Sequence, residues 1–493
     1  MSKKMKKLVV IGMILTTLVG TLAGCGSKEE APKTEQGTTT QGAQEGSTEK
    51  TAEKPKKITY MTNLGIKPED GHKEWAAAYK ELTGVEIEIQ NVPQSGELYQ
   101  KLELSFASGE TSDVFSVGDG KLAIYATQGA LADLTDMFNN SPLKDTVDPE
   151  LMESITVNGK IYGVPIENGG GPVTYVRKDW LDKLGMEVPT TYDAYIEMLR
   201  GFKSLGEDVI PMTAPGLVAG QAEYYLREFY QDASPDFVQV DGKWVDGMLQ
   251  ANMVPALERM SAAYAEGLMD IEIITNKTST CRDKWNAGKV GAFTYWAGNW
   301  NVNLGDRLVA TNPEAEMIAI PAIEGTHYVK RVPVVASISS LAKNPEGIFE
   351  NFIQVMHDGK EGSMLFQHGV EGIHHEVKDG AVEHLPTLAD PSKILAQAFV
   401  TPALSTEQVA DVNYPLDERI TSSLAILEEY GKQAVQVPVS KSLTKVSSDL
   451  LALREKTVSS IVLGNTTIEE GLAKYVVEAE NLGIDKIVEE LNQ

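Results

Sequence analysis

The feature that most restricts the fold is a regular alternation of strand-like and helix-like segments, which begins at Ile58. Apolar residues that alternate or run continuously predict three short strands, at 58–61, 85–89 and 113–117. Between these strands, apolar residues recur every three or four positions, which predicts helices at 72–83, 97–108 and 121–128. In the first helix, Trp75, Tyr79 and Leu82 should share the buried face. The alternation predicts an α/β fold in which mostly parallel sheets are flanked by helices.

The chain is too long for a single domain of this kind. Its 493 residues include a folded part from 58 onward that exceeds the roughly 250–300 residues one hydrophobic core supports. No internal repeat and no second linker divides this part. We therefore expect two interwoven domains that are joined by short crossing segments.

The N-terminus has the pattern of an export signal. Four lysines within residues 3–7 precede an apolar run at 8–22, which is shorter than the about 20 residues of a membrane-spanning helix. The run ends in Leu22-Ala23-Gly24-Cys25, which resembles the lipobox of bacterial lipoproteins. The resemblance implies that residues 1–24 are a signal peptide and that Cys25 carries the lipid anchor on the outer face of a Gram-positive-type cell membrane. An ordinary cleaved signal with a chance cysteine is the alternative.

Residues 25–57 are expected to form a flexible, lipid-anchored linker, because 26–57 contain no aromatic residue and no Val, Ile, Leu or Met. The formal net charge of −26 argues against nucleic acid as a partner, since nucleic-acid binding needs a basic surface. The charge also leaves the lipid anchor as the means of membrane attachment. An anionic ligand stays possible, because distant charges are screened within about 8 Å.

Several strings at matched spacing resemble one known family. These strings are SDVFSVGDGKLAIYATQGALADLT (112–135), NGKIYGVP (158–165), YVRKDWLDKLGMEVPTTYDAY (175–195), GAFTYWAGNW (291–300), KNPEGIFENFIQVM (343–356) and HGVEGIHHEV (368–377). They resemble extracellular solute-binding proteins of the maltose-binding type (family 1), most closely the long oligosaccharide-binding lipoproteins of Gram-positive bacteria. The resemblance covers most of 57–380 and is faint beyond about 385.

The resemblance implies a two-lobed, type II periplasmic-binding-protein-like fold that grips its ligand in the cleft between the lobes. It assigns 58–165 and 332–385 to the N-lobe and 172–320 and 386–493 to the C-lobe, with hinge crossings at 166–171 and 321–331. It also implies an ABC importer whose permease subunits are separate chains. The sequence contains no G-x-x-x-x-G-K-[ST] phosphate-binding loop of its own. We expect a monomer.

Saccharide binding needs flat aromatic faces for the sugar rings and polar groups for the hydroxyls. Residues 293–300 read Phe-Thr-Tyr-Trp-Ala-Gly-Asn-Trp and follow an apparent strand at 290–293. Ligands of α/β folds bind at the carboxyl ends of strands. The pattern therefore predicts that Trp296 and Trp300 stack on ligand, with filling of the core as the alternative.

The predicted ligand-binding residues are Asn63, Asp119, Glu167, Asn168, Tyr225, Trp296, Trp300, His374 and His375. Asn63 and Asp119 follow strands, although Asp119 could instead cap the helix at 121. Glu167 and Asn168 lie in the first crossing, where a plain surface turn is the alternative. Either Tyr224 or Tyr225 should point to ligand, and the histidines lie in a segment that the family places near the cleft. Arg177 and Lys178 could pair with an acidic sugar, although basic residues at a helix start are commonly just solvated.

No metal or cofactor is predicted. Four of the seven histidines lie at 368–384, but neither H-E-x-x-H nor a pair on one helix face is present. Related proteins often carry a calcium loop, yet the matching stretch FKSLGEDVIPMTAP (202–215) lacks the D-x-[DN]-x-[DN]-G pattern. Cys281 is expected to be a buried apolar residue, and a lipidated Cys25 leaves it no disulfide partner.

Three functions are compared with the sequence features. A solute-binding protein without catalytic activity agrees best with the resemblance. A secreted, membrane-anchored carbohydrate-active hydrolase or lyase would need two opposed carboxylates, which no motif places, and G-x-S-x-G is absent. A third function is the binding of a non-sugar solute such as a peptide, because aromatic cleft residues could also contact such a ligand. We predict a binding protein for a carbohydrate.

Overall fold

The computed structural model describes residues 53–63, 71–92, 95–118, 120–167, 169–218, 222–385 and 416–493. The predicted signal peptide, Cys25 and nearly all of the linker lie outside the described residues, as do Asp119 and Asn168. Within these ranges, no helix combines the length and the apolar character needed to cross a membrane.

Among the described residues, fifteen strands form two larger sheets and three small two-stranded ones. In chain order they are β1 (Lys57–Thr62), β2 (Glu86–Asn91), β3 (Val114–Val117), β4 (Val164–Pro165), β5 (Pro172–Arg177), β6 (Ile210–Thr213), β7 (Phe237–Val240), β8 (Lys243–Asp246), β9 (Val290–Trp296), β10 (Met317–Ile320), β11 (Tyr328–Lys330), β12 (Val335–Ile338), β13 (His375–Lys378), β14 (Ala381–His384) and β15 (Gly431–Gln433).

The first sheet has the strand order β2-β1-β3-β12-β4, and the second has the order β10-β5-β9-β6. Strands β1, β2 and β3 are parallel, whereas β12 is antiparallel to both of its neighbours. In the second sheet, β6 and β9 are parallel and β5 is antiparallel to both β9 and β10. Each sheet thus contains one reversed strand. In both sheets, the reversed strand is the first one that the chain forms after it arrives from the other sheet.

Helices cover both sheets. Those that flank the first sheet in sequence are His72–Thr83, Ser95–Ser108, Lys121–Thr127, Thr135–Asn139, Leu143–Thr146, Pro149–Ile155, Pro345–Ile348, Gln354–Met356 and Glu361–His368, with a π-helical turn at Phe349–Ile353. Those of the second region are Lys178–Leu184, Tyr192–Lys203, Ala222–Tyr225, Arg227–Tyr230, Met253–Ala265, Thr278–Asn286, Asn299–Thr311, Glu418–Tyr430, Lys441–Val462, Ile468–Asn481 and Ile484–Leu491, with a 3₁₀ turn at Gly247–Leu249.

Two separate hydrophobic cores form around the two sheets. The first contains all of the apolar residues of β3, which are buried on both faces of the sheet as a continuous apolar strand should be. The second contains Tyr175 of β5 and Phe293 of β9. The C-terminal helices add Val458 and Tyr475 to this second core, so the end of the chain packs with the second sheet.

Three segments of the chain lie side by side between the two sheets. The first segment lies between β4 and β5 and contains Gly170, and the second segment contains Arg331. The Arg331 N–H donates a hydrogen bond to the Gly170 carbonyl, at 2.9 Å. A Cβ on Gly169 would lie 2.2 Å from the Arg331 carbonyl oxygen, so only glycine permits this approach. The third segment contains β15, which pairs in parallel with β11. The sequence predicts two crossings, at 166–171 and 321–331; the strand β15 beside β11 was not foreseen, and the helices on both sides of β15 pack in the second core.

Candidate ligand-binding site

The carboxyl ends of β6 and β9 meet at one edge of the second sheet, because the two strands are parallel. Strand β5 runs the other way, and its first residue, Pro172, lies opposite Trp296 at the end of β9. The Ala297 N–H continues this contact by donating to the Gly171 carbonyl, at 2.9 Å. The edge where this fold class binds ligand is therefore the edge that borders the crossing segments.

Trp296 ends β9 as a half-buried side chain. Its backbone carbonyl accepts a hydrogen bond from the Tyr175 hydroxyl at 2.9 Å, which fixes the strand end. The Tyr224 ring lies 6.4 Å away with a tilt of 33°, and the Arg331 guanidinium carbon lies 5.4 Å from the Trp296 ring. Trp296 therefore presents part of an indole between a tyrosine and an arginine, an arrangement suited to a ring-shaped ligand.

Trp300 lies in the first turn of helix Asn299–Thr311 and is also half-buried. Its ring meets the Tyr295 ring edge to face, with centroids 5.0 Å apart and an angle of 87°. The Arg282 guanidinium carbon lies 5.1 Å from the Trp300 ring. We call the set Tyr224, Trp296 and Trp300, with Arg282 and Arg331 beside it, the aromatic surface; Tyr295 is 3% exposed and lies beneath it.

The tyrosine that faces this surface is Tyr224 rather than Tyr225. Tyr225 is 5% exposed and stacks on Tyr295, with ring centroids 6.4 Å apart. Burial raises the pKa of Tyr225, so its hydroxyl stays protonated. Tyr224 is half-buried against Trp296. Tyr225 thus supports the surface from behind, and its predicted direct contact with ligand is disfavoured by its burial.

Glu167 joins two of the crossing segments. One of its carboxylate oxygens accepts from Arg331 Nη2 and, at 3.0 Å, from the Val334 N–H. Arg331 also donates through Nε to the Gly169 carbonyl, at 2.5 Å. Glu167 is therefore placed beside Trp296 through Arg331, and its predicted role at the ligand stays a prediction.

The other predicted residues are distributed more widely. His374 and His375 are 0% and 3% exposed, and the Val370 N–H donates to Nδ1 of His374 at 2.8 Å. This burial leaves them little surface for a ligand and disfavours their predicted role. Asn63 is half-buried directly after β1. The predicted contacts of Asp119 and Asn168 lie outside the described residues.

Three residues that contact the aromatic surface were not among the predicted ligand-binding residues: Arg282, Tyr295 and Arg331. Tyr295 lies in the same string as Trp296, but its position inside an alternating strand did not mark it as a ligand-binding residue. Arg331 comes from another crossing segment and Arg282 from the preceding helix, so no local spacing connects them with the tryptophans. A search for arginines near strand ends would have been needed.

The described residues contain no group of three His, Cys, Asp or Glu side chains arranged to hold a metal ion. Cys281 is fully buried, and the Thr213 hydroxyl lies 3.6 Å from its sulfur. Burial raises the pKa of the Cys281 thiol to about 11, which keeps it protonated and unreactive at neutral pH. Cys281 is thus the buried small residue that the sequence predicted.

Two α/β sheets with separate cores, joined by crossing segments beside a half-exposed aromatic surface, define a two-lobed solute-binding protein. The sequence model of the bacterial extracellular solute-binding proteins matches residues 67–356. The chain belongs to this family, which confirms the resemblance and the predicted binding-protein class, as opposed to an enzyme.

Individual relatives agree with this assignment. Lipoprotein LipO of Bacillus subtilis is 22% identical over 435 residues, which cover 84% of each chain. The diacetylchitobiose-binding protein DasA of Streptomyces coelicolor is 25% identical over 64% of this chain and 72% of its own. Among solved structures, a human-milk-oligosaccharide (HMO)-binding protein of Bifidobacterium longum infantis superimposes with a TM-score of 0.66, at 17% identity, over 89% of this chain and 98% of that one. The predicted two-lobed fold class is thereby confirmed.

Proposed function

We propose that this protein is the extracellular binding component of an ABC importer, that it captures a carbohydrate, in particular an oligosaccharide, and that a lipid on Cys25 holds it at the outer face of the cell membrane. The lobes proposed for this action are those expected from the sequence, with 58–165 and 332–385 in one and 172–320 and 386–493 in the other. The crossings at 166–171 and 321–331 would then form the hinge.

The observation that carries the proposal is the pair of half-exposed indoles at the end of β9. Three of the six tryptophans are used in packing, as the exposures of 2% for Trp75, 7% for Trp244 and 0% for Trp285 show. Trp296 and Trp300 instead keep exposed ring area at the edge where this fold binds ligand. Leaving such large apolar rings in water is unfavourable, and a stacked sugar ring would remove that cost.

The names of relatives support a saccharide over other solutes. DasA is named for binding diacetylchitobiose, and the Bifidobacterium longum protein for binding human-milk oligosaccharides (HMO). LipO is named a lipoprotein, which supports the anchor at Cys25. The permease subunits that would receive the solute are separate chains, and we propose that the binding protein meets them as a monomer.

The packing of the crossing segments supports the proposed hinge. Gly169 and Gly170 have φ values of 76° and 59°, and glycine tolerates this region without strain. Small dihedral changes at such residues can rotate one lobe against the other. Closure would bring the first sheet over the aromatic surface and remove water from the ligand.

The experiment is a thermal-shift screen of the purified protein against neutral and acidic oligosaccharides and against oligopeptides. Compounds that stabilise the protein are then measured by calorimetric titration. A ligand at 100 times its Kd should add about 2.7 kcal/mol to the free energy of unfolding. Trp296→Ala should weaken saccharide binding by about 10- to 100-fold, because it removes a stacked ring.

Trp180→Ala is the matched control. Trp180 is also half-buried in the second region, but it follows Arg177 at the opposite end of β5 and hence at the opposite edge of the sheet. Its loss should lower stability and leave saccharide affinity unchanged. Unchanged affinity in Trp296→Ala would contradict the stacking role. Stabilisation by peptides alone would contradict a carbohydrate ligand.

A further inference from the structure

Arg282 is a half-buried arginine at one end of the aromatic surface. Its guanidinium carbon lies 5.1 Å from the Trp300 ring and 5.6 Å from the Tyr295 ring, and Nη1 donates to the Tyr295 hydroxyl. The guanidinium thus contacts two aromatic rings near the carboxyl end of β9. A guanidinium has five N–H donors, and the tyrosine hydroxyl uses one of them.

No carboxylate lies within 4.0 Å of the Arg282 guanidinium in the part of the chain that the structure describes. Arg259 of the same region also has no ion pair among the described residues, but it donates to the Phe229 and Tyr230 carbonyls, at 2.7 and 3.2 Å. Two further arginines have carboxylate partners. Arg177 pairs with Asp179, and Arg454 pairs with Asp236 and Asp246. In a chain with 70 acidic and 44 basic residues, an arginine held between aromatic rings and away from carboxylates is a distinctive arrangement.

The arginine at the other end of the surface is neutralised. Arg331 lies over Trp296, but its Nη2 donates to the Glu167 carboxylate. The aromatic surface therefore carries net positive charge at its Trp300 end, next to Arg282. This local charge has the opposite sign to the net charge of the whole chain, −26.

Closure of the lobes would make this charge costly. When water leaves the site, a guanidinium without a counterion loses its hydration and gains no opposite charge in return. A neutral sugar offers only uncharged oxygens. A carboxylate matches the planar fork of a guanidinium, forms two parallel hydrogen bonds and supplies the missing negative charge.

We infer that the ligand of this site is an acidic saccharide, in which sugar rings stack on Trp296 and Trp300 and a carboxylate pairs with Arg282. The inference rests on the proposed function and specifies its substrate class. Sulfated or phosphorylated sugars share the anionic chemistry and form separate arms of the test.

The test compares uronic-acid oligosaccharides with the same oligosaccharides after reduction of their carboxyl groups to alcohols. Reduction keeps the rings and linkages and removes the charge. We expect calorimetry of the full-length protein to show at least about 10-fold weaker binding of the reduced forms, since a hydrogen bond to a charged group such as the Arg282 guanidinium contributes about 1.5–3 kcal/mol. Affinity for the acidic forms should also fall with rising salt.

Arg282→Gln should abolish the difference between acidic and reduced forms while keeping the weaker affinity for the reduced ones. Arg282→Lys keeps the charge without the fork and should retain part of the preference. Arg307→Gln is the control, because Arg307 is exposed on helix Asn299–Thr311 and its loss changes the net charge equally. The thermal midpoint of each variant without ligand verifies that it is folded.

The possible outcomes test the acidic ligand separately from the proposed carbohydrate-binding function. Equal binding of acidic and reduced forms, or an unchanged preference in Arg282→Gln, overturns the acidic ligand and leaves a neutral carbohydrate in place. Binding of sulfated or phosphorylated sugars alone overturns the carboxylate. Absence of binding by every saccharide overturns the proposed function itself, and the inference with it.

Discussion

The Arg331 guanidinium lies over the ring of Trp296, with its carbon 5.4 Å from the ring centre. Arg331 belongs to the second crossing segment, and Trp296 ends β9. The same guanidinium is bonded to Glu167 and to the Gly169 carbonyl of the first crossing segment. The indole that we propose as a stacking residue is therefore linked directly to the segments that we propose as the hinge.

Glu167→Ala is expected to affect both stability and binding. The substitution leaves Arg331 without its carboxylate and the Val334 N–H without its acceptor, which should lower the free energy of unfolding by about 1–3 kcal/mol. Arg331 should then be less firmly held over Trp296, so saccharide affinity should fall as well. Chemical denaturation and calorimetric titration measure the two effects.

Glu428→Ala provides the comparison for that variant. Glu428 pairs with Lys330 of β11 close to Arg331, but its side chain is 78% exposed. An exposed pair of this kind contributes about 0–1 kcal/mol, so stability and affinity should stay nearly unchanged. If the two variants had the same stability and the same saccharide affinity, the link between Glu167 and the aromatic surface would not contribute to binding.

Acid should destabilise the part of the first region that contains three clustered histidines. Nδ1 of His368 lies 3.1 Å from Nε2 of His384, and Nδ1 of His375 lies 2.9 Å from the His368 carbonyl oxygen. Burial, with repulsion from the neighbouring imidazoles, lowers the pKa of His368 to about 3 and that of His384 to about 4. Burial also lowers the pKa of His375, against the opposing charge of Glu371.

The sign of this effect follows from proton binding. An unfolded histidine has a pKa near 6.5, so between about pH 6.5 and 4 the unfolded chain binds more protons than the folded one. The stability that these residues contribute is fully present above about pH 6.5 and is lost as the pH falls toward 4. Hydrogen exchange of the β13–β14 hairpin at pH 7 and pH 5 should show faster opening at the lower pH.

His384→Gln should reduce this sensitivity, because glutamine can still bond His368 and does not titrate. His72→Gln, outside the cluster, should keep the wild-type response. Identical acid responses in all three proteins would show that the cluster does not govern acid stability.

Cys25→Ser should release the protein from the membrane. A serine cannot accept the lipid, so membrane fractionation should find the variant in the medium or as an unprocessed precursor rather than at the cell surface. Cys281→Ser is the control, since Cys281 is buried and should not influence anchoring. Wild-type retention of Cys25→Ser would contradict the lipid anchor.

The early helices and strands were predictable because their signals are local. Helix His72–Thr83 has the predicted bounds, and Gly84 ends it with a φ of 73°. Its buried face was predicted less well, since Leu82 is 36% exposed and Thr83 is buried instead. Thr83 turns inward because its hydroxyl donates to the Tyr79 carbonyl and accepts from the Val85 N–H. Hydrogen bonds of this kind decide which side chain is buried at a helix end, and the spacing of apolar residues in the sequence does not reveal them.

The sequence by itself determined the alternating elements, the binding-protein class and the location of the tryptophan pair, because periodicity, glycine stops and residue order are properties of neighbouring positions. Only the tertiary structure decided that Tyr224 faces the surface while Tyr225 supports it, and that β15 forms a third segment between the sheets. It also decided that Arg282 and Arg331 flank the indoles in different charge states. These relationships join residues far apart in the chain, and contacts of that kind are fixed by packing rather than by local pattern.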